Sequence, residues 1–318
     1  MGMDSKDNNV LISVLVLTYN QETTIGRTLD SILNQKTNYR FEIIVSDDCS
    51  KDNTRSICEE YACTYSNIAL LSKTSNLGVV KNYFRALKAA KGEFIMGCAG
   101  DDWWHNENKI QLQIDFMHSH PNCNLCYGGV VYYNTVTGKK TIKIGYNGSL
   151  SLRVLLVSNH VAAVTMCYKR NILTDADLDK IINSDYGMED YPILLTAAAL
   201  GQICGIPDLL ATYSVTPNSI SNCSTIEKKE GFETKVLKVR LDYAKRYGLL
   251  DEMQKKIKDS YYLSLSMNGV RYNDKKYCKE YMIAIQEKRW SDYIKLFLCY
   301  LPGGFRLLRF FLKDLIIK

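Results

Sequence analysis

No glycine-rich phosphate loop occurs in this 318-residue chain, neither G-x-G-x-x-G nor G-x-x-x-x-G-K-[ST]. That excludes a dinucleotide or ATP held mainly by backbone N–H groups at a helix N-terminus. Histidine is scarce, with four in all, and only Cys123 and Cys126 stand at C-x-x-C spacing. Without a second such pair or nearby histidines, zinc is excluded. No run of 18 apolar residues is present, so no helix is expected to span a membrane. The net charge of +6 is modest, and no basic arm or aromatic RNA-binding signature accompanies it. Nucleic acid is therefore not an expected partner. Internal repeats and low-complexity tracts are also lacking, and with 46 % hydrophobic and 23 % charged residues the chain reads as globular.

Eleven cysteines are scattered, several in apolar runs (Cys98, Cys126, Cys167, Cys204). The odd count fits buried free thiols in a reducing cytosol. The opening MGMDSKDNNV has no apolar stretch of the kind a signal peptide uses. The expected location is cytoplasmic.

Apolar patterning gives the architecture. Val10–Leu17 (VLISVLVL), RFEIIVS, NIALLSK and EFIMG read as buried strands. Between and after them stand helical periods: Ile25, Leu29, Ile32 and Leu33; then SKDNTRSICEEYA; then GVVKNYFRALKAAKG, expected to close at Gly92; then NENKIQLQIDFMHSH. Four strand–helix alternations predict a doubly wound α/β layer, a mostly parallel sheet with helices on both faces. From Cys123 to about Ser221 the pattern is mixed. LCYGGVVYYN, KKTIKI, VAAVTMCYK and QICGIPDLLATYSV read as strands, and LSLRVLLVS and MEDYPILLTAAALG as helices. Beyond Thr225 the chain reads as helical. The expected division is a catalytic domain over 1–222 (halves 10–120 and 121–222) and a helical region over 223–318.

In such sheets the ligand site lies at the strand C-terminal ends. Thr18-Tyr19-Asn20 follow the first strand, Asp47-Asp48 the second, Asn76-Leu77-Gly78 the third and Asp101-Asp102 the fourth. Adjacent carboxylates repel, and a divalent cation relieves the repulsion. Mg²⁺ and Mn²⁺ use one or two carboxylates plus phosphate oxygens, so Asp101-Asp102 suits a cation bridging a diphosphate.

The stretches SVLVLTYNQETTIGRTLDSILNQ, FEIIVSDDCSKDNT, NLGVVKNYFRALKAAKGEFI and AGDDWW stand in an order and spacing that resembles the family 2 glycosyltransferases. GMEDYPILLTAAALG resembles that family's E-D motif, and ATYSVTPNSISN its closing segment; the resemblance covers roughly residues 10 to 222. It implies a GT-A fold, a Rossmann-like mostly parallel sheet, here with a C-terminal helical extension. It implies inverting transfer of a sugar from a nucleoside diphosphate sugar, UDP-sugar favoured, to a hydroxyl of a glycan or lipid-linked glycan. Carried over by position, Thr18, Tyr19 and Asp47 face the nucleobase and ribose. Asn20, Asn76 and Gly78 complete the donor site, and Asp101 touches ribose or the metal. Asp102 is the direct ligand of Mn²⁺ or Mg²⁺, and Asp190, or else Glu189, is the catalytic base. Neighbouring helical positions point apart, so one carboxylate of that pair is expected to face the donor and the other to cap or orient. The sequence departs from the family at Ala99, where an acid is common, and at Cys49, where glycine is usual. It departs again at Ser214 and Thr216, where Arg and His are common. A nucleotidyltransferase and a non-catalytic nucleotide- or carbohydrate-binding scaffold remain alternative readings.

Of the paired tryptophans Trp103 and Trp104, one is expected in the core and the other free to stack on a sugar ring. In the tail, Phe305, Leu308, Phe311, Leu312, Leu315 and Ile316 share a helical face opposite Arg306, Arg309 and Lys313. That stripe suits either an interfacial helix on the inner face of the plasma membrane or a face packed on the catalytic domain.

Overall fold

A computed structural model describes residues 11–146, 148–217, 223 and 225–312. The chain divides into two compact units, one of residues 1–152 and 160–214, the other of 153–159 and 215–318.

In the first unit, the β-branched runs form β1 (Leu11–Thr18), β2 (Arg40–Asp47), β3 (Ile68–Leu70) and β4 (Phe94–Ala99). Four helices follow them in turn: α1 (Ile25–Leu33), α2 (Thr54–Thr64), α3 (Val79–Ala89) and α4 (Lys109–Ser119). β1 pairs in parallel with both β2 and β4, and β2 with β3. Alternation along β1 sends Ile12, Val14 and Val16 into a core with Ile25, Leu29 and Ile32 of α1 and with Ile110 and Ile114 of α4. Leu15 and Leu17 point to the opposite face, where Tyr83 of α3 meets them across a cavity. Helices thus cover both faces of the parallel half.

The mixed half adds β5 (Cys123–Asn134), β6 (Lys140–Lys143), β7 (Gly148–Leu150), β8 (Cys167–Lys169) and β9 (Gln202–Val215). Its helices are α5 (Leu152–Val157, mostly in the second unit), α6 (Asp175–Asn183) and α7 (Asp190–Leu200). Among the described residues one sheet runs β3-β2-β1-β4-β8-β5-β9-β7, with β6 beside β5. β8 is antiparallel to both β4 and β5, so the sheet changes sense there. The mostly parallel α/β architecture expected from the patterning is therefore present.

Three local expectations need correction. Gly92 does not close α3: the helix ends at Ala89, Ala90 is already extended, and the Gly92 N–H donates to Ser13 Oγ at 2.8 Å. The chain must straighten early to enter β4. VAAVTMCYK is not one strand, because Ala163–Thr165 form a 3-10 turn and only Cys167–Lys169 pair. A short apolar run does not distinguish the two. Helix α6 was not anticipated, although Thr174 and Asp177 form a full capping box, with Asp177 N–H donating to Thr174 Oγ1 at 3.2 Å.

The second unit holds α8 (Ile226–Arg246), α9 (Leu250–Arg271), α10 (Lys275–Ala284), α11 (Trp290–Tyr300) and α12 (Gly304–Phe311). Its small core joins Val270, Cys278, Cys299, Phe305 and Leu308, with Leu298 and Leu312 against it. The tail stripe is thereby split: Phe305, Leu308 and Leu312 face inward, Phe311 is 69 % exposed, and Leu315 and Ile316 lie outside the described residues. Among the described residues, no helix is long and apolar enough to cross a membrane, and all eleven cysteines are free thiols.

Candidate active site

The loops that leave the parallel strands are tied to one another by short polar side chains. Thr18 is buried at the end of β1, in register with Asp47 at the end of β2. Its hydroxyl donates to Gln21 Oε1 at 2.8 Å. Asn20 adopts a left-handed φ of 52°, a conformation asparagine tolerates better than most residues. There its N–H donates to Ser50 Oγ at 2.9 Å and its Oδ1 accepts the Lys51 N–H at 2.8 Å. The buried Asp47 carboxylate accepts the Ser50 N–H at 3.2 Å and the Ser50 hydroxyl. Cys49, at the usual glycine position, also has a positive φ, 66°. Tyr19 stands exposed beside this cluster. Thr18, Tyr19, Asn20 and Asp47 therefore come together as one loop cluster.

Asn76 and Gly78 sit one strand further out. The Asp48 carboxylate accepts the Leu77 N–H at 2.7 Å and the Gly78 N–H at 2.9 Å, while Asn76 Nδ2 donates to the Asp48 carbonyl at 2.9 Å. Gly78 has a φ of 77°, which glycine adopts without strain. Asp48 thus fastens the loop before α3 to the end of β2.

Asp101 and Asp102 follow β4 in a tight turn. A Cβ at Gly100 would lie 2.7 Å from Thr18 Oγ1 and against Gln21 Oε1, so a larger residue there would shift both side chains. Arg27 of α1 donates to the Asp101 carbonyl at 2.8 Å and stacks 3.8 Å over the Trp103 ring. The Asp102 carboxylate is almost fully buried and accepts the Ser214 N–H of β9 at 2.7 Å. Ser214 Oγ donates to the Asp101 carbonyl at 2.5 Å. Burial raises the pKa of both acids above the usual carboxylate range, and the neighbouring Asp101 charge pushes Asp102 further. Trp104 is the core tryptophan, and Trp103 is half-buried with its edge toward Tyr133.

Glu189 and Asp190 lie at the start of α7, just after Gly187, whose φ is 69°. Both line the cavity, of about 140 Å³, that also receives Asp102, Ala99 and Tyr213. Glu189 is the N-cap residue of α7 and makes no side-chain capping hydrogen bond, and Asp190 is the first residue of the helix. Burial, then the Asp190 charge, raises Glu189 to about 8; burial also raises Asp190, whose Oδ1 accepts the Tyr191 N–H at 2.8 Å. Glu189 therefore retains its proton near neutrality. Tyr83 and Tyr168 share a hydroxyl hydrogen bond of 2.7 Å at the cavity wall.

Among the described residues no cluster of three or more metal-ligating side chains occurs. The Asp101–Asp102 pair nevertheless fits a hard cation. Its two carboxylates are forced together where ionisation is costly, and a cation with phosphate oxygens would offset that cost. Gln21, Arg27, Ser214 and the Tyr83–Tyr168 pair were not anticipated. Their roles depend on contacts with distant parts of the chain; for Ser214, only its place in the family-like closing segment was a signal.

The sequence pattern of Glycosyl transferase family 2 matches residues 13–175, and the chain belongs to that family. An uncharacterised protein of Mycobacterium tuberculosis is 27 % identical over 227 residues, 70 % of this chain; the chain spans 64 % of that protein's length. The Escherichia coli UDP-Glc:alpha-D-GlcNAc-diphosphoundecaprenol beta-1,3-glucosyltransferase WfgD is 29 % identical over 249 residues, 77 % of this chain and 92 % of that enzyme. In structure, the chain resembles Staphylococcus aureus TarS 1–349 in complex with UDP-GlcNAc, with a TM-score of 0.55, 17 % identity and coverage of 94 % and 90 %. It also resembles the Pyrobaculum calidifontis mannosyltransferase PcManGT in complex with GDP-Man and Mn²⁺, with a TM-score of 0.55, 16 % identity and coverage of 96 % and 84 %. The fold is that of the GT-A glycosyltransferases.

Proposed function

We propose that this chain transfers a sugar, with inversion, from a UDP-sugar to a hydroxyl of a glycan or lipid-linked glycan in cell-envelope polysaccharide synthesis. The observation that carries the reading is the single cavity lined by Asp102, Glu189 and Asp190. It puts an acid suited to the diphosphate side beside a carboxylate suited to deprotonating an attacking hydroxyl. The likeness to WfgD, named for a UDP-Glc donor and a diphosphoundecaprenol acceptor, supports the substrate classes.

Asp47 accepts the imide N–H of uracil beside Thr18 and Tyr19. Asp101 and Asp102 would hold Mn²⁺ or Mg²⁺, which as a Lewis acid would stabilise the charge developing on the leaving diphosphate. Asp190 takes the proton from the acceptor hydroxyl as it attacks, and Glu189, still protonated, orients the pair by donating a hydrogen bond. The buried walls of Leu15, Val164 and Met166 exclude water that would otherwise compete as acceptor.

The test is Asp190→Asn, which keeps shape and polarity but cannot accept the proton. Transfer should fall by about 10²–10⁴-fold with UDP-sugar affinity near wild type by calorimetry. Unchanged transfer in this variant would refute the assignment, and no turnover of any nucleotide sugar by the wild type would favour a binding scaffold.

A further inference from the structure

Helix α11 is amphipathic in the reverse sense. Its acid, Asp292, is buried and held by Lys295 Nζ at 3.0 Å and Arg289 Nε at 3.3 Å. Its aromatic residues point outward: Trp290 is 80 % exposed, and Tyr293, Phe297 and Tyr300 are all more than half exposed. These recur at intervals of three to four residues, one continuous stripe along the helix. After the Leu301-Pro302-Gly303 turn, α12 adds Phe310 and Phe311, 70 % and 69 % exposed, while its Phe305 and Leu308 fill the core. Scattered exposed apolar residues are ordinary, but large aromatics concentrated on two consecutive helices mark an interaction surface.

Charge identifies the occupant. From Glu287 to Leu312 the chain carries five cations, Lys288, Arg289, Lys295, Arg306 and Arg309, against two acids. Arg289 and Lys295 hold the buried Asp292, and the exposed Glu287 pairs with Lys255 at 3.1 Å, so the stretch keeps a net positive charge. A second copy docked face to face would set one net positive stretch against another. An anionic bilayer meets both features, since Trp and Tyr settle at the headgroup level, Phe enters the acyl boundary and Arg and Lys meet lipid phosphate.

We propose that the outward face of α11 and α12 is a membrane-binding surface for anionic phospholipid bilayers. It replaces the tail stripe expected from sequence, whose Phe305 and Leu308 are committed to the core.

The experiment uses the full chain and vesicles of phosphatidylcholine, with and without phosphatidylglycerol. No donor or acceptor is present, so the outcome is independent of transfer activity. The wild type should co-sediment with the anionic vesicles, weakening as salt is added. Phe297→Ser/Phe310→Ser/Phe311→Ser should lower the partition coefficient by at least about 100-fold. Its melting temperature should stay at the wild-type value, because these side chains are exposed. Trp290 emission should shift to the blue on vesicle addition, a shift absent in Trp290→Phe. The proposal is overturned by equal vesicle binding of the triple variant, by no binding of the wild type, or by a micromolar dimer that the triple variant abolishes.

Discussion

Replacing Glu189 by Gln probes the acid pair in the cavity directly. The folded chain raises Glu189 from 4.5 to about 8. Between these values the unfolded chain has lost the proton while the folded chain keeps it. Wild-type stability therefore falls as pH rises from about 4.5 to about 8, and the difference is constant above that. Each unit corresponds to about 1.4 kcal/mol, so after relaxation of the surroundings the full loss is on the order of a few kcal/mol. Glutamine keeps the shape and does not titrate. Relative to wild type, Glu189→Gln should gain stability steadily across this window and show no pH-dependent gain below it. In a domain of this size the gain appears as about 2–4 °C of melting temperature per kcal/mol. The assay is thermal unfolding of both proteins in matched buffers from pH 4 to 9, with transfer rates measured in parallel. Parallel stability curves over the whole range would refute a Glu189 that holds its proton near neutrality. A loss of transfer as large as that in Asp190→Asn would mean that the roles of the two acids are exchanged.

Asp102→Asn keeps an acceptor for the Ser214 N–H but removes the charge, so Mn²⁺-dependent UDP binding should weaken at least about tenfold by calorimetry, since a direct ligand matters no less than its outer-shell partners. Asp47→Ala should weaken UDP binding by about 10–100-fold, the value of a hydrogen bond to a charged group; unchanged affinity would remove the nucleobase from that strand end. Leu308→Ala should destabilise the helical unit by about 2–5 kcal/mol, measured by urea unfolding. A variant as stable as wild type would show that α12 is not part of that core.

The parallel half was legible because its elements are strongly periodic. Continuous β-branched strands and helices with apolar residues three and four apart allow one reading each. The site loops were legible for a related reason, since polar and acidic residues directly after buried strands must lie at one sheet edge. What escaped was set by distant partners. Nothing local to Arg27 says that it will bind the Asp101 carbonyl 74 residues away. The burial of Tyr83 against Tyr168 joins positions 85 residues apart. Ala163–Thr165 were misjudged because the preference of valine and threonine for strands yields to the turn that brings the chain back to β8. In the tail, the period was right but the sorting of residues was not: neighbouring Phe310 and Phe311 both face outward, and only the packing of α12 against Val270 and Cys278 decides which aromatic is core.

The hydrogen bond from the Ser214 N–H to Asp102 spans 112 positions, which sets a timetable for synthesis. At about 5–20 residues per second, a ribosome that has just placed the acid pair needs on the order of ten seconds to supply the strand that receives it. Until β8 emerges partway through that interval β4 has no partner along its outer edge, and throughout it Asp102 stands beside Asp101 without its backbone donor. The parallel half can acquire its helices and strands early. The turn that bears the acid pair is completed only when β9 arrives, so the nascent chain is most exposed to mispairing at the edge of β4.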